Sequence, residues 1–209
     1  MGSIIKLSDC DVVTCYDPAR SRESEFGRSA RNAIITTACD YMYRVYVLTY
    51  WAKRCPFDDV YQELWRQVDQ FRPRCIGIED VATQMTIGGA FEKIAQSDGR
   101  HLPSIEPLKP DTRVNKKWRI RTAIQQVAAY GRLYILDNSY ELESEWNAFP
   151  NGRTVDILDT LAYAIMMHSI PFQEDADDSY NSRILKAQAE IRGDSIDDSN
   201  VIDIDKYKV

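Results

Sequence analysis

The sequence predicts an α/β domain built on a central mixed β-sheet flanked by α-helices. The first observation is a run of three apolar, strand-like segments at residues 11–16, Asn32–Cys39 and 44–51, with a short polar turn between the last two. The second is an amphipathic helix over Phe57–Phe71, followed by another apolar strand at residues 74–78. Helices that alternate with strands after such a start favour a mixed sheet with helices packed on it.

Each later element is predicted from apolar spacing and from the residues that begin and end it. Gly131 is the expected C-cap of a long helix, and Pro171 ends the last helix of the body. Asp58 and Asp59 suit the start of the helix over Phe57–Phe71, where the helix dipole favours negative charge. The remaining predicted elements are helices over residues 87–95, 115–130, Tyr140–Ala148 and 155–169, and strands over residues 102–108 and 132–136.

The chain divides by charge into a body and an acidic tail. Its 209 residues suit one domain of ordinary size. From Gln173 onward ten acids stand against five bases, so five of the six net negative charges at pH 7 lie there. We therefore predict one domain over residues 1–172 and a partly helical or flexible acidic tail over residues 173–209. The near-neutral body also holds a set of candidate catalytic acids, and we expect a compensating basic surface on it.

Composition argues against several classes of protein and site. No apolar run approaches the ~18 residues that span a bilayer, and the N-terminus lacks a signal-peptide pattern, so a cytoplasmic protein is expected. The five cysteines form no CxxC pair and lie far from both histidines, which argues against zinc sites and disulfides. Cys15, Cys39 and Cys75 lie within apolar runs and are predicted to be buried, reduced thiols.

Four acids occupy positions from which they can converge. Asp17 follows one apolar strand and Glu79 follows another, while Asp156 and Asp159 lie one turn apart at the start of the last helix. Taken singly, each acid is typical of a strand-end turn or of a helix start, where it interacts with the helix dipole. Together they match the oxygen ligands that Mg²⁺ prefers, and two such ions can hydrolyse a phosphodiester.

The order of short landmarks along the chain resembles the nuclease domain of phage terminase large subunits. These landmarks span residues 17–164, nearly the whole body, and their order is more specific than any one of them. In chain order they are Asp17-Pro18-Ala19, Ile76-Gly77-Ile78-Glu79, Asn115-Lys116-Lys117-Trp118-Arg119-Ile120, Gly131-Arg132-Leu133, Glu145 to Phe149-Pro150, and Asp156-Ile157-Leu158-Asp159 to Tyr163-Ala164.

This resemblance implies a ribonuclease-H-like fold and an endonuclease that cuts concatemeric viral DNA in the host cytoplasm with two Mg²⁺ or Mn²⁺ ions. The family's three acids match Asp17, Glu79 and Asp156, and a less uniform fourth acid matches Asp159. By this match Asp17 bridges the two ions, and Glu79 and Asp156 each complete the ligands of one ion. Asp159 then adjusts the binding of the second ion. Asp80 is expected to point to the other side of its strand. The implied partners are double-stranded DNA, the terminase ATPase domain, the small terminase subunit and the portal protein.

Two features depart from the family pattern. The family often has His-Asp-Asp before the last helix, whereas this chain has Thr154-Val155-Asp156, so one possible ligand is missing. A full-length large subunit also carries an ATPase, and this sequence has no GxxxxGK[ST] phosphate loop. We therefore expect either an excised nuclease domain or a separate nuclease subunit.

A basic segment provides the compensating positive charge. Bases on a helix near the acids would hold the DNA backbone with little sequence preference, although a solvated basic helix face is the simpler alternative. Lys116 and Arg119 match the family's recurrent basic pair, and Trp118 is the one candidate for base stacking. The predicted DNA-binding residues are Lys109, Arg113, Lys116, Lys117, Arg119, Arg121 and Arg132.

Two other functions fit the same residues. A junction resolvase or transposase-like nuclease places acids in the same way. The other alternative is a non-catalytic module that clamps DNA or docks on a portal. Such a module would use the basic segment for binding and would not use the acids to cut DNA. The acidic tail of residues 173–209 is expected either to bind a packaging partner or to cover the basic surface as a DNA mimic.

Overall fold

The computed structural model describes residues 4–19, 31–79, 85–109, 113–169 and 201–208. The strands are β1 (Ile4–Lys6), β2 (Asp11–Asp17), β3 (Asn32–Cys39), β4 (Val45–Lys53), β5 (Cys75–Glu79), β6 (Ser104–Leu108), β7 (Leu133–Leu136), β8 (Val201–Asp203) and β9 (Tyr207–Lys208). The α-helices are α1 (Phe57–Phe71), α2 (Met85–Ser97), α3 (Lys116–Ala128), α4 (Tyr140–Ala148) and α5 (Asp156–Met167). None of the helices in these ranges is long and apolar enough to cross a membrane.

A seven-stranded mixed sheet forms the centre, in the order β6-β5-β2-β3-β4-β7-β9. The strands β2, β3 and β4 form an antiparallel meander, and β5 and β6 then join β2 in parallel. On the other side β7 runs parallel to β4, and β9 closes that edge antiparallel to β7. The predicted fold class is confirmed, since this order and these directions make a ribonuclease-H-like sheet flanked by helices.

Side chains alternate between the two faces of the sheet and so build two apolar layers. On one face Cys15 and Ile35 pack with α3 and α5. On the other face their sequence neighbours Tyr16 and Ile34 pack with α1 and α2. The helix α5 has most of its side chains buried, because it lies between the sheet and α3 and α4.

The predicted elements agree with the structure at most boundaries. The bounds of α1 and α4 are those predicted, and α3 begins where Asn115 accepts a hydrogen bond from the backbone N–H of Lys117 at 2.9 Å. Gly131 has a φ of 61°, a conformation that suits glycine at the end of α3. The three cysteines that were predicted to be buried, Cys15, Cys39 and Cys75, are buried.

Three short strands were not predicted. The strand β8 pairs with β1, and Ile202 packs with Leu7 and Val12. The strand β9 joins the seven-stranded sheet beside β7, so residues 201–208 lie against the body of the domain. Strands of two or three residues are too short for a recognisable alternation of apolar and polar residues. The predicted boundary at residue 173 stays a prediction, and the helical turns suggested around residues 182–191 lie outside the described ranges.

A buried polar network fixes the end of α5 against the first residue of β2. Asp11 accepts hydrogen bonds from Arg74 at 2.8 Å and from the Ser169 backbone N–H at 2.8 Å, and it contacts His168 Nδ1 at 3.2 Å. The other ring nitrogen of His168 lies 2.8 Å from the Thr37 hydroxyl. Burial opposes the charge of Asp11, but these donors outweigh it and hold the pKa of the carboxyl well below its usual range.

We expect Asp11→Asn to lower the free energy of unfolding by about 2 kcal/mol at pH 7, the scale of lost hydrogen bonds to a charged group. A depressed pKa stabilises the fold above the unfolded-state value of about 4, and this stabilisation is lost as the pH falls toward the folded-state pKa. The difference between the variant and the wild type should therefore shrink below about pH 4 in urea titrations.

Glu106→Gln is the matched control, because Glu106 also pairs with Arg74 but is 45% exposed. It should change the stability by less than about 1 kcal/mol. An Asp11→Asn penalty that is constant between pH 3 and pH 7 would contradict this account.

Candidate functional site

The parallel pairing of β2 and β5 brings two predicted acids together. Tyr16 pairs with Ile78, so the next residues, Asp17 and Glu79, lie side by side at the carboxyl ends of two adjacent strands. Both are buried, at 8% and 4% exposure. Burial, then repulsion from Glu79, raises the pKa of Asp17 well above its usual value. Charging both carboxyls at once is therefore unfavourable unless a cation compensates them.

The first turn of α5 faces this pair. Asp156 begins the helix, and Asp159 follows one turn later with no exposed surface. The charge of Asp159 contributes to the raised pKa of Asp17, which places Asp159 within electrostatic reach of that pair. The structure therefore places Asp159 near the strand pair, and Lys116, which is attracted by Asp159, Asp17 and Asp156, lies near Asp156 as well.

Two bases from α3 compensate these acids. Lys116 Nζ lies 2.8 Å from one oxygen of Asp159, and Arg119 Nη2 lies 2.6 Å from the other. Burial opposes the charge of Lys116, but attraction from Asp159 and then Asp17 outweighs it and raises the pKa of the lysine. Lys116 therefore remains a cation at the centre of the acidic cluster.

Tyr163 connects α5 to the strand pair. Its hydroxyl donates to Glu79 at 3.1 Å, and its ring lies under the guanidinium of Arg119, 4.3 Å from the ring centre. Burial, then the negative charge of Glu79, raises the pKa of the Tyr163 hydroxyl, so it stays protonated and keeps donating. The orientation of Glu79 is thereby tied to the same helix that carries Asp156.

Arg31 and Glu145 hold the start of α5, and sequence reasoning missed both roles. Val155 at the N-cap offers no capping side chain; instead Glu145 of α4 accepts hydrogen bonds from the backbone N–H groups of Ile157 and Leu158, at 2.9 and 3.1 Å. Arg31 then joins Glu145, at 2.5 Å, to Asp156, at 3.4 Å. Rules for helix caps consider only local residues, so a cap from another helix leaves no local signal.

Other predicted basic residues lie away from the acids. Lys117 and Arg121 are on the exposed side of α3, and Lys109 and Arg113 are exposed before the helix begins. Arg132 lies beyond the opposite end of α3, beside the ring of Tyr130. Lys116 and Arg119 thus form ion pairs with Asp159 of the acidic cluster. Asp80 and Asp111 lie outside the described ranges.

The donor atoms of the cluster suit a hard divalent cation. Asp17 and Glu79 end adjacent strands, and the repulsion between their carboxyls, which contributes to the raised pKa of Asp17, is one that a cation would relieve. Asp156 and Asp159, in contrast, are paired with Arg31 and with Lys116 and Arg119. Within the described ranges, no three His, Cys, Asp or Glu side chains are already grouped as ligands of one ion. Asp17 and Glu79 are therefore the pair best placed to receive a metal.

Comparison with known proteins gives matches in structure alone. No protein-family model matches the chain, and no curated protein matches it. It is similar to the yeast mitochondrial Holliday junction resolvase Ydc2, with 11% identity, a TM-score of 0.45, and coverage of 73% of this chain and 77% of that one. It is also similar to Thermus thermophilus RuvC in complex with a Holliday junction, with 13% identity, a TM-score of 0.40, and coverage of 74% and 90%. A fowlpox virus resolvase bound to junction DNA shows 11% identity, a TM-score of 0.43, and coverage of 76% and 99%.

We expect Glu145→Ala to lower the free energy of unfolding by about 3 kcal/mol, because it leaves two N–H groups of α5 and the Arg31 guanidinium without their buried acceptor. The matched control is Glu141→Ala. Glu141 also pairs with Arg31, at 3.0 Å, but its side chain is 61% exposed, so its loss should cost less than about 1 kcal/mol. Equal unfolding midpoints of the two variants in urea would refute the capping role.

Proposed function

We propose that this chain is a divalent-metal-dependent endodeoxyribonuclease. The observation that carries the proposal is the buried carboxylate pair of Asp17 and Glu79 at one edge of the sheet, facing the acidic first turn of α5. Burying two carboxyls side by side destabilises a fold. Such clusters are therefore typical of functional sites, where the activity requires them. A site of hard oxygen donors next to basic residues suits the cleavage of a phosphodiester.

Each residue of the cluster has a distinct proposed role. Asp17 and Glu79, with Asp156 and Asp159, would hold two Mg²⁺ or Mn²⁺ ions. Such ions supply an activated water and offset the charge that develops on the phosphate. Tyr163 orients Glu79 through its hydrogen bond.

The bases of the cluster prepare it for an anionic substrate. Lys116 and Arg119 hold Asp159 in place and lower the repulsion that the phosphate would meet. Arg31 fixes Asp156 against the start of α5. Lys117 and Arg121, which are exposed on α3, are proposed to bind the DNA backbone together with Lys109, Arg113 and Arg132, so affinity should depend on salt more than on sequence.

For the biological role we propose cleavage of concatemeric viral DNA during genome packaging in the host cytoplasm. The ordered landmarks between Asp17 and Ala164 support this role, and the lack of a phosphate loop assigns the ATPase to another domain or chain. The proposed partners are then that ATPase, the small terminase subunit and the portal protein. Junction resolution is the other candidate, since it needs the same carboxylate site.

The direct test is nicking of supercoiled plasmid with Mn²⁺, Mg²⁺ or EDTA. We expect the wild type to cut with metal and to be inactive in EDTA. Asp17→Asn and Asp156→Ala should each lower the rate at least about 100-fold, or roughly 2.7 kcal/mol of transition-state stabilisation. The control is Asp69→Asn, which alters an exposed acid of α1 paired with Arg100 and should cut like the wild type. Equal rates for Asp17→Asn and the wild type would contradict the assignment of Asp17 to the catalytic site.

The same assay distinguishes the two biological roles. A packaging nuclease should cut linear duplex and four-way junctions of the same sequence at rates within about tenfold. A preference for the junction well beyond that would assign the chain to junction resolution. Duplex binding by both the wild type and Asp17→Asn, with no cutting by either, would instead indicate a non-catalytic DNA-binding module.

A further inference from the structure

A groove of about 730 Å³ runs between α3 and α4 on the outer side of the domain. Its walls include the indoles of Trp118 and Trp146, which are 61% and 39% exposed, and its floor includes the buried side chains of Ile120 and Ile124. The volume lies within the range of about 300–1,000 Å³ that is usual for small-ligand sites. Two partly exposed indoles thus border one concave surface, which is the kind of lining that small-ligand sites use.

The groove borders the proposed active site through both of its helices. Trp118 lies two residues after Lys116, which contacts the buried Asp159. Trp146 directly follows Glu145, which caps α5 and is joined through Arg31 to Asp156. The groove and the acidic cluster thus share two helices, with Trp118 about 3 Å further along the axis of α3 than Lys116 and on a different side of the helix.

The charges around the groove favour an anionic occupant. The whole of α3 carries four bases and no acid, and Lys116, Lys117 and Arg121 are exposed, although Lys116 is paired with Asp159. Arg121 itself lines the groove. The acids of α4, Glu141, Glu143 and Glu145, do not line the groove, and each is paired with Arg31 or Lys208. Arg121 is thus the charged residue among those that line the groove, and its charge favours an anionic occupant.

We propose that this groove binds an unstacked nucleobase of the DNA substrate, with the base against Trp118 and its phosphate at Arg121. An exposed indole beside a guanidinium is the combination that binds single-stranded nucleic acid, because every base has a stacking face and every nucleotide a phosphate. The substrate class is then DNA with unpaired nucleotides beside the cut. This inference rests on the proposed function, which identifies the bordering acidic cluster as a site for DNA.

The test measures binding of the full-length chain to a fluorescent single-stranded oligonucleotide and to its duplex, in EDTA so that nothing is cut. Trp118→Ala should weaken binding of the single strand about 5- to 100-fold and of the duplex less than about threefold. Trp118→Phe, which keeps a stacking ring, should stay within about threefold of the wild type. Arg121→Gln should reduce the slope of log affinity against log salt concentration by about 1, the value expected for the loss of one phosphate contact.

The control variant is Tyr41→Ala, which removes an aromatic side chain that is 47% exposed and lies outside the groove, in the turn between β3 and β4. It should bind both DNAs like the wild type. Equal single-strand affinity of Trp118→Ala and the wild type overturns the proposal and leaves the groove to a protein partner. An equal loss for single strand and duplex also overturns it, because the indole would then contact the backbone and not a base.

Failure of this inference and failure of the proposed function give different results. A wild type that nicks plasmid with Mn²⁺ while Trp118→Ala binds single strands normally removes the inference alone. A wild type that does not nick plasmid, but whose binding of single strands depends on Trp118, removes the nuclease and keeps the groove as a site for nucleic acid.

Discussion

Electrostatic repulsion between buried carboxylates at one edge of the sheet is the constraint on which the rest of this site depends. Asp17 and Glu79 are adjacent because β2 and β5 are parallel neighbours, and the fold has no way to separate them. Burial raises the cost of their charge, as the raised pKa of Asp17 shows. Lys116 offsets part of this cost. The remainder is what a bound cation would relieve.

The helix α5 is fixed at both ends, so its first turn has a fixed position relative to the two carboxylates. One end is held where Glu145 accepts two backbone N–H groups, and the other where Asp11 contacts His168 and the Ser169 N–H. Between these ends the helix is buried in the main apolar core. Because both ends are tied by charged hydrogen bonds and the middle by apolar packing, Asp156 has little freedom to move relative to the strand pair.

Sequence patterns predicted the scaffold of the site better than its contacts. The apolar run at residues 11–16 and Pro18 placed Asp17 at a strand end, and helical spacing placed Asp159 one turn after Asp156. The Arg31–Glu145 contact joins residues more than a hundred positions apart, and no local pattern encodes such a pair. Strands β8 and β9 are too short to show periodicity. The metal-binding roles of the four acids remain predictions, since they depend on an ion and not on the backbone alone.

The central claim is that Asp17 and Glu79 share a divalent cation. The most direct measurement is anomalous diffraction from a crystal of the wild type grown in Mn²⁺. We expect an anomalous peak about 2.2 Å from carboxylate oxygens of both residues. We also expect no peak at this edge in a crystal of Asp17→Asn grown in the same way. A wild-type crystal with full Mn²⁺ peaks elsewhere and none between these two carboxylates would contradict the account.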